Sequence, residues 1–336
     1  MKGLIRPHRV ITLVGNAKNA GKTTVLNAIL RILSPEPVAI TSIGLDGELI
    51  DNVTALPKPR IFVHAGTLVA TAEDCLKSAE AAHEILADTG IRTPLGPVLI
   101  VRALTEGNML VAGPSTVAGM DALVADLRKR QTGKILIDGA FSRKSLVRSG
   151  EACIFAVGAV KSPVLAEVVE SCRLSLRQFS LPPMPPSLPD FEKETRLSVL
   201  TRDQKILSLP DDSTLGDPKK ILDSLPEDAA HLFLPGSLGP AFAREWIRRR
   251  KSPLPDLILR SPAHLVVPDS LLDLLFRMKT EIRVLHPVKM IGIAYNPFSP
   301  VSVAFPDAEF GDALRKITDL PVFNVMHESE EENGQT

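Results

Sequence analysis

Residues 10–24, VITLVGNAKNAGKTT, constrain the fold more than any other stretch of the chain. Residues 10–14 form a short apolar run rich in β-branched side chains, the pattern of a buried strand. Gly15 opens a loop of small and polar residues that ends in Gly21-Lys22-Thr23-Thr24. Residues 25–33 carry dense apolar spacing, and Ser34-Pro35 stops them as a helix is stopped. Strand, glycine-bounded loop, Gly-Lys-Thr and helix, in that order, let backbone N–H groups converge on phosphate oxygens. Lys22 is then expected to reach the terminal phosphates, and the Thr23 hydroxyl to bind Mg²⁺. The predicted cradle comprises Gly15, Asn16, Ala17, Lys18, Asn19, Ala20, Gly21, Lys22, Thr23 and Thr24. A chance turn with an exposed lysine is the simpler alternative, and the flanking strand and helix weigh against it.

With 336 residues the chain has room for two domains or one large one. Its 44% apolar content is enough for a full core, so disorder is not expected. Lys+Arg and Asp+Glu both number 39, which removes the electrostatic case for nucleic acid as a main ligand. Cys75, Cys153 and Cys172 have no CxxC spacing and no paired histidine, which fits reduced, buried thiols in a cytosol. The amino terminus lacks the apolar stretch of a signal peptide, and no run approaches a membrane span. A soluble cytoplasmic protein is expected, without nucleic-acid or membrane partners.

After the first helix, residues 38–43 read as a strand that runs into Gly44-Leu45-Asp46-Gly47-Glu48. Carboxylates at the carboxyl end of a strand lie at the rim where open α/β sheets bind ligands. Asp46 and Glu48 are therefore candidates to hold Mg²⁺ or to orient an attacking water, though Asp-Gly is also ordinary turn chemistry. Residues 61–64 read as a short strand, and 71–87 as a helix capped by Thr71 with Glu73 and Asp74 in its first turn. Residues 97–104 and 109–112 read as a hairpin or two neighbouring strands, and 114–130 as a helix.

Lys134-Ile135-Leu136-Ile137-Asp138 is the second informative stretch. An apolar strand ending in Asp, downstream of a phosphate-binding loop, is where a carboxylate meets Mg²⁺-bound water or Thr23. Asp138 joins Lys22, Asp46 and Glu48 as a catalytic candidate, and Thr23, Asp46 and Asp138 form the candidate metal set. Arg143 and Lys144 follow; phosphate or partner contact is open to either, but a solvated basic turn is the favoured reading for each. Residues 152–160 read as a strand and 163–179 as a helix; the intervening loop is placed to surround a base. No Asn-Lys-x-Asp guanine signature is present, which favours ATP over GTP.

Five prolines within 181–189 mark a semi-rigid linker over 181–195. Beyond it, residues 196–327 alternate strand and helix again, including a strand at 265–267, and predict a small parallel sheet. Arg248-Arg249-Arg250-Lys251 ends a helix, where a basic turn complements the dipole. His64, His83, His231, His264 and His286 form no metal spacing. Residues 328–336 are acidic, polar and expected to fray. The predicted architecture is α/β: a P-loop NTPase domain over 1–180 with a mostly parallel, doubly wound sheet, then a smaller α/β domain.

The spacing of Gly15, five residues, then Gly21-Lys22-Thr23 resembles the dethiobiotin synthetase and cobyrinate amidase branch of P-loop proteins. Asp138-Gly139-Ala140 is similar to that branch's Glu-Gly-Ala, with a shorter acid. The ordered set GNAKNAGKTTVLNA, TSIGLDGE, GTLVATAED, GPVLIVRA, VAGPS, ILIDGAFSR and FAVGAVKSP resembles the P-loop subunit of the lysine 5,6-aminomutase reactivase family. The likeness is strong over the first half and general in layout over the second. It implies an ATP- and Mg²⁺-dependent factor that works with a MutS-like ATPase partner subunit. Together they would restore an adenosylcobalamin-dependent lysine aminomutase whose cofactor is damaged or stuck. The chain has no Asp-x-His-x-x-Gly cobalamin motif, so it need not bind the cofactor itself, and a homodimer stays open. Two other readings compete. One is an ATP-dependent ligase of the dethiobiotin synthetase or cobyrinate amidase type, although the second strand ends without that enzyme's substrate lysine. The other is a nucleotide sensor that binds without turnover.

Overall fold

The computed structural model describes residues 1–17, 19–43, 60–130, 133–139, 151–251, 253–299 and 303–324. Lys18, Asp46, Glu48, Arg143, Lys144 and the acidic tail lie outside the described residues. The chain divides into two compact units, one of Met1–Cys172 with the segment from Met290 onward, the other Arg173–Lys289. Both are α/β. The division falls between Cys172 and Arg173, within the expected first domain, and the residues from Met290 onward belong to the first unit.

The first unit opens with a helical turn, α1 (Lys2–Ile5), and then β1 (Val10–Gly15), every residue of which is buried. Helix α2 (Lys22–Leu33) ends at Ser34, whose extended backbone suits the residue before a proline. Then come β2 (Val38–Ser42), β3 (Ile61–Val63), β4 (Leu68–Ala72), the one-turn α3 (Glu73–Leu76), β5 (His83–Thr93), β6 (Gly96–Ala103) and β7 (Gly107–Met109). Helix α4 (Val117–Lys129) is capped by the Thr116 hydroxyl, which accepts from Gly119 N–H. Strands β8 (Lys134–Asp138) and β9 (Ala152–Gly158) follow, and α5 (Leu165–Phe179) leads into the second unit.

The predicted helix over 71–87 does not form. Thr71 is the fourth residue of β4, and its hydroxyl donates to Leu110 O and accepts from Ala112 N–H, so it caps nothing. The Ala-rich run that suggested a helix becomes one turn and then an edge strand, because residues 83–93 find a long antiparallel partner in β6. Two register irregularities along that edge bend it away from open pairing. Nor are β6 and β7 a hairpin: β6 lies between β4 and β5, while β7 pairs with β3 in a separate ribbon.

The second unit carries β10 (Ser198–Thr201), β11 (Ile206–Ser208), α6 (Pro218–Asp223), β12 (Ala229–Leu234), α7 (Pro240–Arg248), β13 (Asp256–Leu259), α8 (Asp269–Phe276) and β14 (Ile282–Val284). Its sheet runs β11-β10-β12-β13-β14. Only β12, β13 and β14 are mutually parallel; β10 is antiparallel to both its neighbours, so the sheet is mixed where a parallel one was predicted. Leu265 makes a single bridge to Leu238 instead of a strand. One face buries Leu232, Leu257, Phe242 and Trp246.

The other face explains the proline-rich segment. Pro182 O accepts from Val284 N–H at 3.0 Å, Met184 N–H donates to Val284 O at 2.8 Å, and Phe191 is fully buried, stacked on Phe233 at 4.9 Å. Residues 182–194 are therefore the cover of a sheet face. Proline density hid the apolar side chains Met184, Leu188 and Phe191, which supply that cover.

The chain then re-enters the first unit with β15 (Met290–Asn296), α9 (Asp307–Arg315) and β16 (Val322–Asn324). The nine-stranded sheet of the described residues reads β16-β15-β9-β1-β8-β2-β4-β6-β5. Every pair from β16 to β4 is parallel, and β5 and β6 append an antiparallel edge. Ile11 and Leu13 pack under α2 on one face, and Val10, Ile135 and Ile137 under α4 on the other. Each such side chain contributes roughly 1.5–3 kcal/mol on burial. No helix of the described residues is long and apolar enough to cross a membrane.

Candidate functional site

Strand β1 lies between β8 and β9, so its carboxyl end opens at the middle of the parallel strands. The chain leaves it without helix and turns through two left-handed residues, Asn19 (φ 59°) and Gly21 (φ 94°). Asparagine tolerates that region and glycine occupies it without strain. Helix α2 begins at Lys22 with its first main-chain bond from Val25 N–H to Gly21 O at 2.9 Å, and no side chain caps it. The amides of its first turn therefore have no partner within the helix. Lys22 folds back along the loop: a Cβ built on Gly15 would sit 3.1–3.2 Å from its Cγ, Cδ and Nζ. Gly15 keeps that space clear for the lysine stem.

Asn16, 2% exposed, anchors the loop to the head of β9. Its N–H donates to Ala156 O at 2.9 Å and its Oδ1 accepts from Gly158 N–H at 3.2 Å, while its Nδ2 is buried with no partner. Gly158 has no room for a side chain, since a Cβ there would come within 2.7 Å of the Ala20 backbone. Asp138 ends β8 beside Leu13 of β1 and Ser42 of β2. Its carbonyl accepts from Ile43 N–H at 2.9 Å, but its carboxylate Oδ1 is buried and meets no donor among the described residues. Burial pushes this carboxyl above the ordinary carboxylate range, and the Lys22 ammonium pulls it partly back.

Lys22, Gly15, Asn16, Gly21 and Asp138 are thus gathered at one sheet edge. Thr23 and Thr24 are half-buried in the first turn of α2. A buried carboxylate oxygen without a donor suits a hard cation, which also favours oxygen ligands such as a threonine hydroxyl. No cluster of three His, Cys, Asp or Glu side chains among the described residues forms a metal site on its own. A Mg²⁺ held here would draw its remaining ligands from water and phosphate, as that ion ordinarily does.

Two features escaped the sequence reading. Asn296, the last residue of β15, lies against the loop: a Cβ built on Gly21 would be 3.1 Å from its Cβ and 3.3 Å from its Nδ2. Its one signal, an Asn-Pro after an apolar strand, acquires meaning only once β15 is known to pair with β9. The second is a crossing segment at 110–113. The Thr41, Ser42 and Thr71 hydroxyls donate to Ala70 O, Val111 O and Leu110 O, and Gly113 N–H donates to Ser42 O at 3.1 Å. This segment occupies the carboxyl ends of β2 and β4.

No protein-family model, no curated protein and no solved structure matches the chain. What fold and site together define is an α/β protein with a glycine-bounded loop and an unsatisfied carboxylate at the head of its central parallel strands.

Proposed function

We propose that the first unit is a P-loop NTPase domain binding ATP with Mg²⁺, and that it serves a reactivation factor for an adenosylcobalamin-dependent lysine aminomutase, acting with a MutS-like ATPase partner. The observation that carries the nucleotide reading is a buried Asp138 oxygen with no donor among the described residues, at the strand end beside the loop along which Lys22 folds back over Gly15 to the uncapped start of α2. In this reading the amides of residues 16–24 hold phosphate oxygens and Lys22 offsets charge on the terminal phosphates. Thr23 and Asp138 would hold Mg²⁺, which would supply neutralisation of the phosphate charge. Asp46 and Glu48 remain the candidates to orient water. The reactivation role rests on the sequence resemblance. Its physical basis is that nucleotide binding and hydrolysis order and release loops, and so alter affinity for a partner.

An ATP-dependent ligase is the competing reading, favoured by the longer loop spacing. Thr41 and Ser42 weaken it, because both hydroxyls at the end of β2 are already committed to carbonyls.

Binding of Mg·ATP by calorimetry tests the site, and hydrolysis assays alone, with small carboxylic acids, and with mutase plus partner separate the readings. Wild type is expected to bind, with turnover stimulated by the partner mixture. Lys22→Ala should lose binding by 100-fold or more while its melting temperature stays within about 2 °C, since a half-exposed loop lysine packs little. Wild-type affinity in that variant removes the loop from the mechanism. Turnover driven only by a small acid selects the ligase.

A further inference from the structure

In the proposed site the phosphate end of a nucleotide lies toward Lys22 and Asp138, on the β8 side of β1. The base must then leave on the opposite side, over the heads of β9 and β15. Both heads reach the loop: Gly158 abuts Ala20 and Asn296 abuts Gly21, and the two residues are paired in register. Asn296 Oδ1 accepts from Phe298 N–H at 3.0 Å, and Phe305 N–H donates to Pro297 O at 3.0 Å. Phe298 nonetheless leaves its ring 59% exposed, with Val303 beyond it in the segment at 65%. Phe155, Phe179, Phe191, Phe233, Phe242 and Phe310 are all buried at under 2% and Phe62 is 38% exposed, so Phe298 is the most exposed phenylalanine among the described residues.

An exposed ring on a tied loop, two residues from a side chain that touches the cradle, has the chemistry of a stacking surface for a planar base. We propose that Phe298 is the platform on which the base of the bound nucleotide stacks, with Asn296 Nδ2 as a donor at its edge. This rests on the nucleotide reading above. Stacking tolerates any base, so affinity for the triphosphate group and affinity for the base come from opposite ends of the site.

The test is calorimetry with Mg·ATP and with Mg·tripolyphosphate, which lacks a base. Wild type is expected to bind ATP more tightly than tripolyphosphate. Phe298→Ala should weaken ATP about 5- to 100-fold and leave tripolyphosphate unchanged. Phe298→Trp should retain ATP, and its new emission should be quenched on binding; the one native tryptophan, Trp246, is fully buried. Unchanged ATP affinity in Phe298→Ala overturns the proposal while sparing the cradle. So does an equal loss of both ligands that tryptophan does not rescue, which would mark the ring as loop packing. A wild-type protein that binds neither ligand overturns both readings.

Discussion

At the head of β8, Asp138 keeps a buried carboxylate oxygen that meets no donor among the described residues. At the head of β13, Arg260 is fully engaged: its Nε donates to Pro235 O at 3.2 Å, and its terminal nitrogens donate to Glu192 O at 3.3 Å and Glu194 O at 2.5 Å. Around it, Ser261 Oγ meets His264 Nδ1 at 2.9 Å, and His286 Nε2 pairs with Glu192 Oε1 at 2.6 Å. Both places are carboxyl ends of parallel strands, the usual ground for ligands in such sheets. In the second unit the polar groups there are spent on holding the covering segment 182–194. In the first unit Asp138 Oδ1 and Asn16 Nδ2 are buried and meet no partner among the described residues. Position in a fold therefore nominates a site, and unmet polar valence decides between nominees.

Three measurements would break or sharpen this contrast. The largest effect belongs to His264. Burial first, and then the Arg260 and His286 charges, push its imidazole down to about 4. The unfolded chain therefore binds a proton that the fold refuses between about pH 4 and pH 6.5, so stability rises with pH across that window. The shift corresponds to roughly 3 kcal/mol, lost progressively on acidification. Denaturant melts at stepped pH, with the His264 ring proton followed by NMR, should show both; a ring titrating near 6.5 would mean this head is open to water.

Next, Arg260→Ala should destabilise the protein by about 2–3 kcal/mol, since one charged donor group serves several carbonyls. Any ATP bound by the folded fraction should keep its affinity. A fall in affinity without a fall in stability would reverse the roles assigned to the two sheet heads.

The smallest effect, opposite in sign, is expected of Asp138→Asn. The fold binds this carboxyl's proton more tightly than the unfolded chain does. Its contribution is thus full below the ordinary carboxylate range and falls as pH rises through the folded value, leaving a cost at neutral pH. The amide should gain about 1–2 kcal/mol at pH 7 and nothing near pH 3.5, while losing Mg²⁺-dependent nucleotide binding. A loss of stability at pH 7 would show that the carboxylate is already satisfied.

The turn from buried strand through glycine-bounded loop to helix was legible because its cues are local. Glycines, Lys22 and the flanking strand and helix lie within residues 10–33, and the Asp138 strand is a run of buried side chains. What was misread depended on distant partners. Residues 83–87, read as the end of a helix, became part of a strand because β6 was there to pair with. The covering segment looked like a linker because its contacts are with β14 and Arg260, far along the chain. Asn296 gave no sign until β15 was seen to return beside β9.

That return has a consequence for how the molecule comes to exist. Strand β9 is made early, yet its neighbour β15 lies beyond the whole of Arg173–Lys289. On the ribosome, the apolar run Ala152–Gly158 must wait with one flank bare until the intervening unit has been synthesised, and a bare flank of that kind invites mispairing. Rapid, independent maturation of the inserted unit shortens that wait. The Asn296 side of the loop, which lies against Gly21, is therefore laid only after the intervening unit has been synthesised.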